Sequence, residues 1–283
     1  MKRKKKMIIY TILGALLLAF IIFMIYVNTH INVIQHTLRY ENLPEGFDGY
    51  KIILLSDLHD KQYGKNNSRI LKIIEEKNPD VVMISGDMHN AENLNPSFYY
   101  FAEAIADKYP VYYVEGNHDP SPYRKTPESF ETFSASLEKA GVINLRHEKI
   151  YLTAENGDKI ALFGYSWHEY GPYKPEFEDD EFNIFLYHDP LVYDNMEKHP
   201  DLMLSGHVHG GFIDLPFIGP LISPAGGTPF IQKIGKNAFF PKYAKGVYES
   251  EQDKLVVSRG LGSSGVSFRF MCPEVVCITL TKK

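Results

Sequence analysis

Five short apolar runs, each ending in or closely followed by Asp, Asn or His, constrain the fold of this chain more than any other feature. The runs are KIILLS (51–56), DVVMIS (80–85), PVYYVE (110–115), FNIFLYH (182–188) and DLMLSGH (201–207). Short, continuously apolar runs are typical of strands that are buried on both faces. Because ligands bind beyond the carboxyl ends of such strands, the sequence predicts one site assembled from both halves of the chain.

Helical periodicity separates the first three runs. Apolar residues recur at helical spacing in 67–77, 96–108 and 126–141, so strand–helix–strand alternation predicts a parallel sheet with crossover helices. The second half contains a hairpin around Asn156-Gly157, a further hairpin and a final strand. Strands therefore outnumber helices, and we expect an α/β domain with two facing sheets and helices outside.

The N-terminal segment has the composition of a membrane anchor. Residues 1–6 include five basic residues, and residues 7–27 follow without a charge. A helix of this length spans about 31 Å, close to the hydrocarbon thickness of a bilayer. A cleaved signal peptide is the alternative, but no small-x-small pattern follows the run. The basic cluster predicts a cytoplasmic segment 1–6, a single transmembrane anchor 7–27 and an extracellular domain 33–283 at the cell membrane.

Charge and cysteine content narrow the function. The whole chain has a net charge of −5, and it becomes more acidic without the five N-terminal basic residues. Nucleic-acid-binding domains usually present a basic face, so we expect no nucleic-acid partner. Cys272 and Cys277 lack the spacing of a zinc–thiolate site. Cys277 resembles a small core residue, although an extracellular pair could also form a disulfide.

The residue types at the strand ends suit two neighbouring divalent metal ions. Carboxylate, imidazole and amide oxygen favour Mn, Zn or Fe, and clustered carboxylates would repel one another without a cation. Two metals about 4 Å apart can activate water and bind both sides of a phosphoryl displacement. Each motif alone has a plain alternative, such as a helix cap or a turn. Their joint occurrence, each just after an apolar run, favours the metal site.

The order D-x-H, G-D, G-N-H-D, H and G-H-x-H resembles the calcineurin-like metallophosphoesterase family. SDLH, GHVHGG and SRGLG add a likeness to its membrane-associated bacterial members, and the resemblance covers residues 33–281. The family fold, a two-sheet β-sandwich flanked by helices, agrees with the strand-rich pattern. The resemblance implies a phosphoric ester hydrolase of the phosphodiesterase or pyrophosphatase type with two divalent metal ions.

The resemblance also implies individual roles. Seven metal ligands would follow the strand ends: Asp57, His59, Asp87, Asn117, His188, His207 and His209. Asp57, His59 and His209 would bind one metal. Asn117, His188 and His207 would bind the second, and Asp87 would bridge both. His118 would bind no metal but protonate the leaving group, since the pKa of imidazole lies near neutral pH. His89 itself is expected to be either a bystander or a support behind the ligands.

Two positions depart from the family pattern. Asn90 stands where many members have an Asp that orients the catalytic histidine. An amide can accept the N–H of His118 but cannot stabilise the imidazolium by charge. We therefore expect a weaker acid and a preference for good leaving groups. Phe212 stands where close relatives often have Gln, which puts a polar substrate contact there in doubt.

Only a few residues indicate how the substrate would be bound. Lys245 and Arg269 are the cations that we expect to bind a phosphate. Tyr165, Trp167 and His168 are expected to line the cleft. The apolar stretch 215–222 would be either an acyl-chain contact or ordinary packing.

Some members of the resembled branch cleave the diphosphate of a lipid-bearing UDP-sugar. We therefore expect a phosphorylated small-molecule or lipid substrate, with lipid-linked and cell-envelope molecules as the candidates. Small nucleotides are an alternative, because the acidic domain disfavours only polynucleotides. A non-catalytic scaffold of the same fold is a third interpretation. It is disfavoured because every expected ligand position is filled.

Overall fold

The computed structural model describes residues 2–90, 95–121, 127–167, 175–211, 213–215, 219–222, 242–250, 252–263 and 269–283. The helices of this part of the chain are α1 (Lys2–Thr29), α2 (Ser68–Lys77), α3 (Pro96–Ala106) and α4 (Pro127–Lys139). Its first seven strands are β1 (Asn32–Tyr40), β2 (Lys51–Leu55), β3 (Val81–Ile84), β4 (Val111–Tyr113), β5 (Ile143–Asn144), β6 (Glu148–Thr153) and β7 (Lys159–Gly164). The later strands are β8 (Asn183–Leu186), β9 (Leu202–Ser205), β10 (Ile213–Leu215), β11 (Gly219–Ile222), β12 (Gly246–Glu249), β13 (Lys254–Val257) and β14 (Glu274–Lys282).

The first half of the chain builds a mixed sheet, sheet A, with the strand order β1-β14-β2-β3-β4-β5. Strands β2 to β5 are parallel, and α2, α3 and α4 connect them in turn. This arrangement confirms the predicted crossover helices. The last strand, β14, is antiparallel to β2 and parallel to β1, so it joins the two ends of the chain.

The second half builds sheet B, with the strand order β12-β13-β9-β8-β7-β6. Its four central strands are parallel, and the edge strands β12 and β6 are antiparallel to their neighbours. The predicted hairpin around Asn156-Gly157 is the β6–β7 pair. Strands β10 and β11 form a separate two-stranded ribbon.

The two sheets face each other, and sheet A carries the helices on its outer face. Along β2, Ile52 and Leu54 belong to a core cluster shared with sheet B, whereas Ile53 and Leu55 pack with residues of α2, α3 and α4. All four side chains are buried, and burial of such a side chain contributes roughly 1.5–3 kcal/mol. Burial on both faces is the reason why these strands read as continuous apolar runs.

Helix α1 stands outside this core. The segment Arg3–Thr29 is long and apolar enough to cross a membrane by length and composition, with a mean hydropathy of 2.8 in its most apolar window. None of that window is buried against the domain. A signal sequence near an N-terminus would meet the same criteria. The helix ends at Thr29 and β1 begins at Asn32, so only two residues separate them.

Some residues singled out in the sequence lie outside the described part of the chain. They are His168, Phe212 and the centre of the apolar stretch, residues 216–218. Cys272 and Cys277 are both free thiols. Cys277 packs beside the core cluster between sheet A and its helices, as expected for a small apolar residue.

Candidate metal centre

The strand ends of both sheets bring the expected ligands together. Asp57 and Asp87 follow β2 and β3 of sheet A, while His188 and His207 follow β8 and β9 of sheet B. The ligand atoms form two groups, in each of which all atoms lie within 4.8 Å of one another. The first group is Asp57, His59 and His209, and the second is Asp87, His188 and His207.

The first group presents three converging side chains. Nε2 of His59 lies 3.3 Å from Nε2 of His209, and Oδ1 of Asp57 lies 3.8 and 3.5 Å from these nitrogens. Ligand atoms that each bind one ion at about 2.1 Å lie roughly 3–3.5 Å apart. The spacing of this group therefore fits a single metal ion.

The second group is centred on Nε2 of His188. This nitrogen lies 3.2 Å from Oδ2 of Asp87, 3.1 Å from Nδ1 of His207 and 3.2 Å from Oδ1 of Asn117. Oδ2 of Asp87 also lies 3.7 Å from Nε2 of His59, which belongs to the first group. Asp87 thus stands between the two groups, at the position expected of a bridging ligand.

The chemistry of the donors fits cations at both positions. Nδ1 of His188 lies 2.7 Å from the Ser85 carbonyl oxygen, so the N–H of a neutral ring points there and Nε2 keeps its lone pair. That lone pair faces the oxygens of Asp87 and Asn117, an arrangement that requires a positive charge between them. Burial lowers the pKa of His188, but Asp87, together with Asp57 and the Ser85 carbonyl, outweighs this effect and raises it to about 10. A metal ion would take the place of that proton.

Electrostatic interactions also favour the metal-binding protonation states of the first group. Burial would raise the pKa of Asp57, but the imidazoles of His209 and His188 hold it below its ordinary value. Burial lowers the pKa of His209 to about 3, so its ring is neutral and can donate a lone pair. An ionised carboxylate and a neutral imidazole are the forms that bind metals.

Five of the expected ligands have left-handed backbone conformations, which are uncommon for residues other than glycine. Their φ angles lie between 48° and 70°, and they are Asp57, His59, Asp87, His207 and His209. Such strain persists only where surrounding contacts impose it, and it is typical of functional sites. The carboxylates supply part of this restraint. Oδ1 of Asp87 accepts from the His118 N–H at 2.7 Å, and Oδ2 of Asp57 accepts from the His207 N–H at 3.0 Å.

Two glycines allow the loops to approach each other this closely. A Cβ atom on Gly116 would overlap the carboxylate of Asp87, and one on Gly206 would overlap the side chain of Ser56. Any side chain at these positions would push the strand ends apart. Their presence in G-N-H-D and G-H-x-H therefore has a steric reason.

Asp119 is a site residue that the sequence reasoning missed. Its buried carboxylate accepts from the N–H groups of Asp87 (2.6 Å), Met88 (3.1 Å), His89 (3.2 Å) and Gly116 (2.9 Å). It therefore holds the loop after β3 against the loop after β4. The signal was present as the last letter of G-N-H-D, beside Asn117 and His118.

His118 and Asn90 lie near the first group, but Asn90 has a different partner from the one expected. The ring of His118 stacks edge-on to His59, with centroids 5.0 Å apart. Oδ1 of Asn90 lies 3.1 Å from Nδ1 of His59, and Nδ2 of Asn90 donates to the His59 carbonyl at 3.3 Å. Asp60 accepts the Asn90 N–H at 2.8 Å and fixes the residue there. The amide oxygen expected beside His118 thus contacts the ring of His59.

Arg269 does not take the substrate-facing position that its charge suggested. The residue is only 6% exposed, and its two Nη atoms donate to the carbonyls of Gly260, Gly262, His209 and Arg259. Because backbone oxygens engage both Nη atoms, this guanidinium is a structural cross-link. It holds loops together through their backbone oxygens.

The remaining expected residues occupy three different places. Trp167 lies beside the second group, with its ring centroid 4.7 Å from that of His207. Lys245 precedes β12 on the edge of sheet B, where its N–H donates to the Tyr248 hydroxyl at 3.4 Å. His89 is fully buried, and its ring packs against Phe98 and other aromatic residues under α3 and α4.

The comparison with protein families decides the class of this centre. A family model described as calcineurin-like phosphoesterase matches residues 50–211, more than half of the chain. The chain belongs to the calcineurin-like phosphoesterase family. It is a metal-dependent phosphoester hydrolase, and the resemblance inferred from the strand-end motifs is confirmed.

Three relatives of this phosphoesterase are bacterial proteins. Over 274 residues it is 29% identical to the uncharacterized metallophosphoesterase YkuE of Bacillus subtilis (strain 168), covering 90% of this chain and 87% of the relative. It is 27% identical to the uncharacterized metallophosphoesterase YkoQ of the same organism, covering 77% and 78%. It is 26% identical to the phosphodiesterase YaeI of Escherichia coli (strain K12), covering 82% of each chain.

Proposed function

We propose that this phosphoesterase hydrolyses a phosphodiester or a diphosphate at a dinuclear metal centre. The observation that carries the proposal is the pair of adjacent ligand groups with Asp87 between them. Asp57, His59 and His209 would hold one ion, while Asn117, His188 and His207 would hold the other, with Asp87 shared. When bound, two divalent ions supply Lewis acidity and an activated water. The donor set suits Mn, Zn or Fe.

His118 is the proposed general acid. Its backbone N–H is bonded to Asp87 and its ring lies against His59, so its imidazole stands beside the first group. It is half-buried, which leaves it accessible to a bound ester. A proton delivered to the leaving oxygen would speed the departure of an alcohol or a phosphate, and imidazole is suited to this near neutral pH.

We further propose that α1 anchors the enzyme in the cell membrane. Residues 1–6 would be cytoplasmic, 7–27 would span the bilayer, and 33–283 would form an extracellular catalytic domain. The length and apolar composition of the helix and the basic cluster before it support this orientation. A cleaved signal sequence is the competing explanation. An intact N-terminus in the mature protein, with proteolysis of intact cells removing only the domain, would distinguish the anchor.

The proposed substrate is a lipid-linked or cell-envelope phosphodiester or diphosphate. The support is positional: the helix end that would emerge from the bilayer lies two residues from β1 of the catalytic domain. A short connection would keep the metal centre near the membrane surface. Lys245, at the margin of sheet B, remains the proposed cationic contact to such a substrate.

The proposal is tested by assaying the full chain in detergent with Mn²⁺. Bis-(p-nitrophenyl) phosphate, p-nitrophenyl phosphate and vesicles containing a diphosphate lipid would be compared. We expect faster turnover of the diester than of the monoester, release of phosphate from the lipid, and a loss of at least about 100-fold in Asp87→Ala. Asp180→Ala, which removes an exposed carboxylate, is the matched control and should retain full activity.

Different results would remove different parts of the proposal. Preference for the monoester would replace the diesterase assignment with a phosphatase. Diester turnover without lipid turnover would leave the chemistry and overturn the lipid substrate. Activity in Asp87→Ala equal to that of Asp180→Ala would exclude the metal centre described above.

A further inference from the structure

The end of α1 is docked onto the catalytic domain by specific bonds. Nδ2 of Asn28 donates to the Arg269 carbonyl at 2.9 Å, and Oδ1 of Asn28 accepts the Arg269 N–H at 2.8 Å. Arg69 donates to the Thr29 carbonyl at 2.9 Å. Val27 and Ile31 are also buried, at 5% and 7% exposure. The helix end is therefore an integral part of the domain surface.

Arg269 continues this connection toward the metal centre. Nη2 donates to the His209 carbonyl at 2.9 Å, and Nη1 donates to the Gly260 and Gly262 carbonyls at 2.9 and 2.7 Å. The backbone of Arg269 thus contacts the helix, and its side chain contacts the loop of a metal ligand. A single residue joins Asn28 to His209.

His209 depends on such support more than His59 and His188 do. Nδ1 of His188 is bonded to the Ser85 carbonyl, and Nδ1 of His59 to Asn90, so hydrogen bonds orient both rings from outside the centre. By contrast, Nδ1 of His209 is buried and has no hydrogen-bond partner within the described residues. Its ring is therefore placed through its backbone, which is in the left-handed region (φ 54°) and is restrained by Arg269.

We propose that the C-terminal end of α1 positions the metal ligand His209 through Arg269. Asn28 and Arg269 are positioning residues, because neither contacts the reacting atoms. The inference rests on the metal-binding role of His209 in the proposed function. It makes the anchoring helix a part of the centre, so that release of the helix end would weaken one metal site.

The test uses the full chain in detergent, stripped of metal and titrated with Mn²⁺ by calorimetry. Asn28→Ala removes both bonds to Arg269. Thr29→Val is the matched control, because among the described residues the Thr29 hydroxyl bonds only to the Ile25 and Tyr26 carbonyls of the helix itself. We expect Asn28→Ala to weaken one ion about tenfold and the other less than twofold, as loss of outer support for a ligand does. Thr29→Val should match the unmodified chain.

Kinetics and hydrogen exchange separate positioning from general destabilisation. With bis-(p-nitrophenyl) phosphate and limiting Mn²⁺, Asn28→Ala should have a lower kcat than the unmodified chain. Saturating Mn²⁺ should restore the kcat of the variant, and KM should be unchanged. In the metal-free chain, the amides of residues 258–263 should exchange faster in Asn28→Ala than in Thr29→Val. Asn28→Asp, which keeps the acceptor for the Arg269 N–H, should give intermediate values.

Equal Mn²⁺ affinities and equal exchange in Asn28→Ala and Thr29→Val would overturn the proposal. If the unmodified chain binds no Mn²⁺, the proposed function fails and only hydrogen exchange tests the positioning role. Equal exchange in Asn28→Ala and Thr29→Val would then overturn that role. If it binds two ions but hydrolyses neither nitrophenyl ester, the hydrolytic function fails while calorimetry still decides this inference.

Discussion

At the scale of single residues, Asn90 shows how one atom type sets the properties of a metal ligand. The neutral amide accepts from the outer nitrogen of His59 at 3.1 Å. A carboxylate in the same place would make the imidazole a stronger donor to a metal, since it stabilises positive charge on the ring. In the proposed centre, the identity of residue 90 therefore bears first on the ion that His59 would bind and only through it on the reaction.

The substitution Asn90→Asp tests this assignment. We expect the affinity for the ion bound by His59 to rise about tenfold, because the outer partner gains a negative charge. Mn²⁺ titration by calorimetry measures the change, and Asn195→Asp adds the same charge at an exposed position as a control. If the affinity stays the same while the dependence on leaving-group pKa changes, Asn90 acts on His118, as the sequence comparison first suggested.

At the scale of secondary-structure elements, the centre is held by loops that bond to one another as well as to their own strands. The loop after β4 carries Asp119, whose two oxygens accept four N–H groups from the loops after β3 and β4. Asp87 lies in the loop so held. Parallel strands alone would leave these loops free to move apart, so Asp119 converts two neighbouring strand ends into one rigid unit.

Removal of the Asp119 carboxylate should destabilise this unit. Asp119→Ala leaves four buried N–H groups without an acceptor, at roughly 1–3 kcal/mol each. We expect the free energy of unfolding to fall by at least about 3 kcal/mol, with Asp119→Asn intermediate because one oxygen remains. Urea unfolding followed by the fluorescence of Trp167, the single tryptophan, measures the loss.

Asp107→Ala, at the exposed end of α3, is the control for that measurement and should change stability by less than about 1 kcal/mol. A cost no greater for Asp119→Ala than for Asp107→Ala would show that the two loops are held by other contacts. The bonds of Asp119 would then be without consequence for the centre.

At the scale of the whole molecule, folding and metal binding should be linked. Each sheet supplies part of the centre, so the complete set of ligands for an ion exists only in the folded chain. Mn²⁺ at 100 times its dissociation constant should stabilise the fold by about 2.7 kcal/mol per site. Calorimetry of the full chain with Mn²⁺ and with a chelator measures the resulting shift in Tm.

Asp87→Ala is the comparison for this measurement, because it removes the shared ligand and should reduce the metal-dependent shift in Tm. An identical Tm with and without Mn²⁺ in the unmodified chain would mean that the ligands do not bind an ion in the folded state.

The sequence alone determined the architecture and the ligand set. Apolar runs such as 51–56 and 80–85 are readable because burial on both faces demands continuous apolar side chains. Asp57 and Asp87 can be recognised as site residues because a polar residue just after such a run marks the end of the strand. These signals are local, so a single sequence retains them. The family match and the two sheets confirmed the family and the fold, and the ligand set stays a prediction.

Only the tertiary structure decided the partners of Asn90, Asp119 and Arg269. Asn28 and Arg269 are separated by 241 positions and meet because β1 and β14 pair in parallel, which brings both ends of the chain together. Hydrogen bonds depend on distances of about 3 Å between specific atoms. A charge pattern cannot reveal such distances. The charge of Arg269 therefore suggested a substrate contact, whereas in the fold its side chain is a buried cross-link.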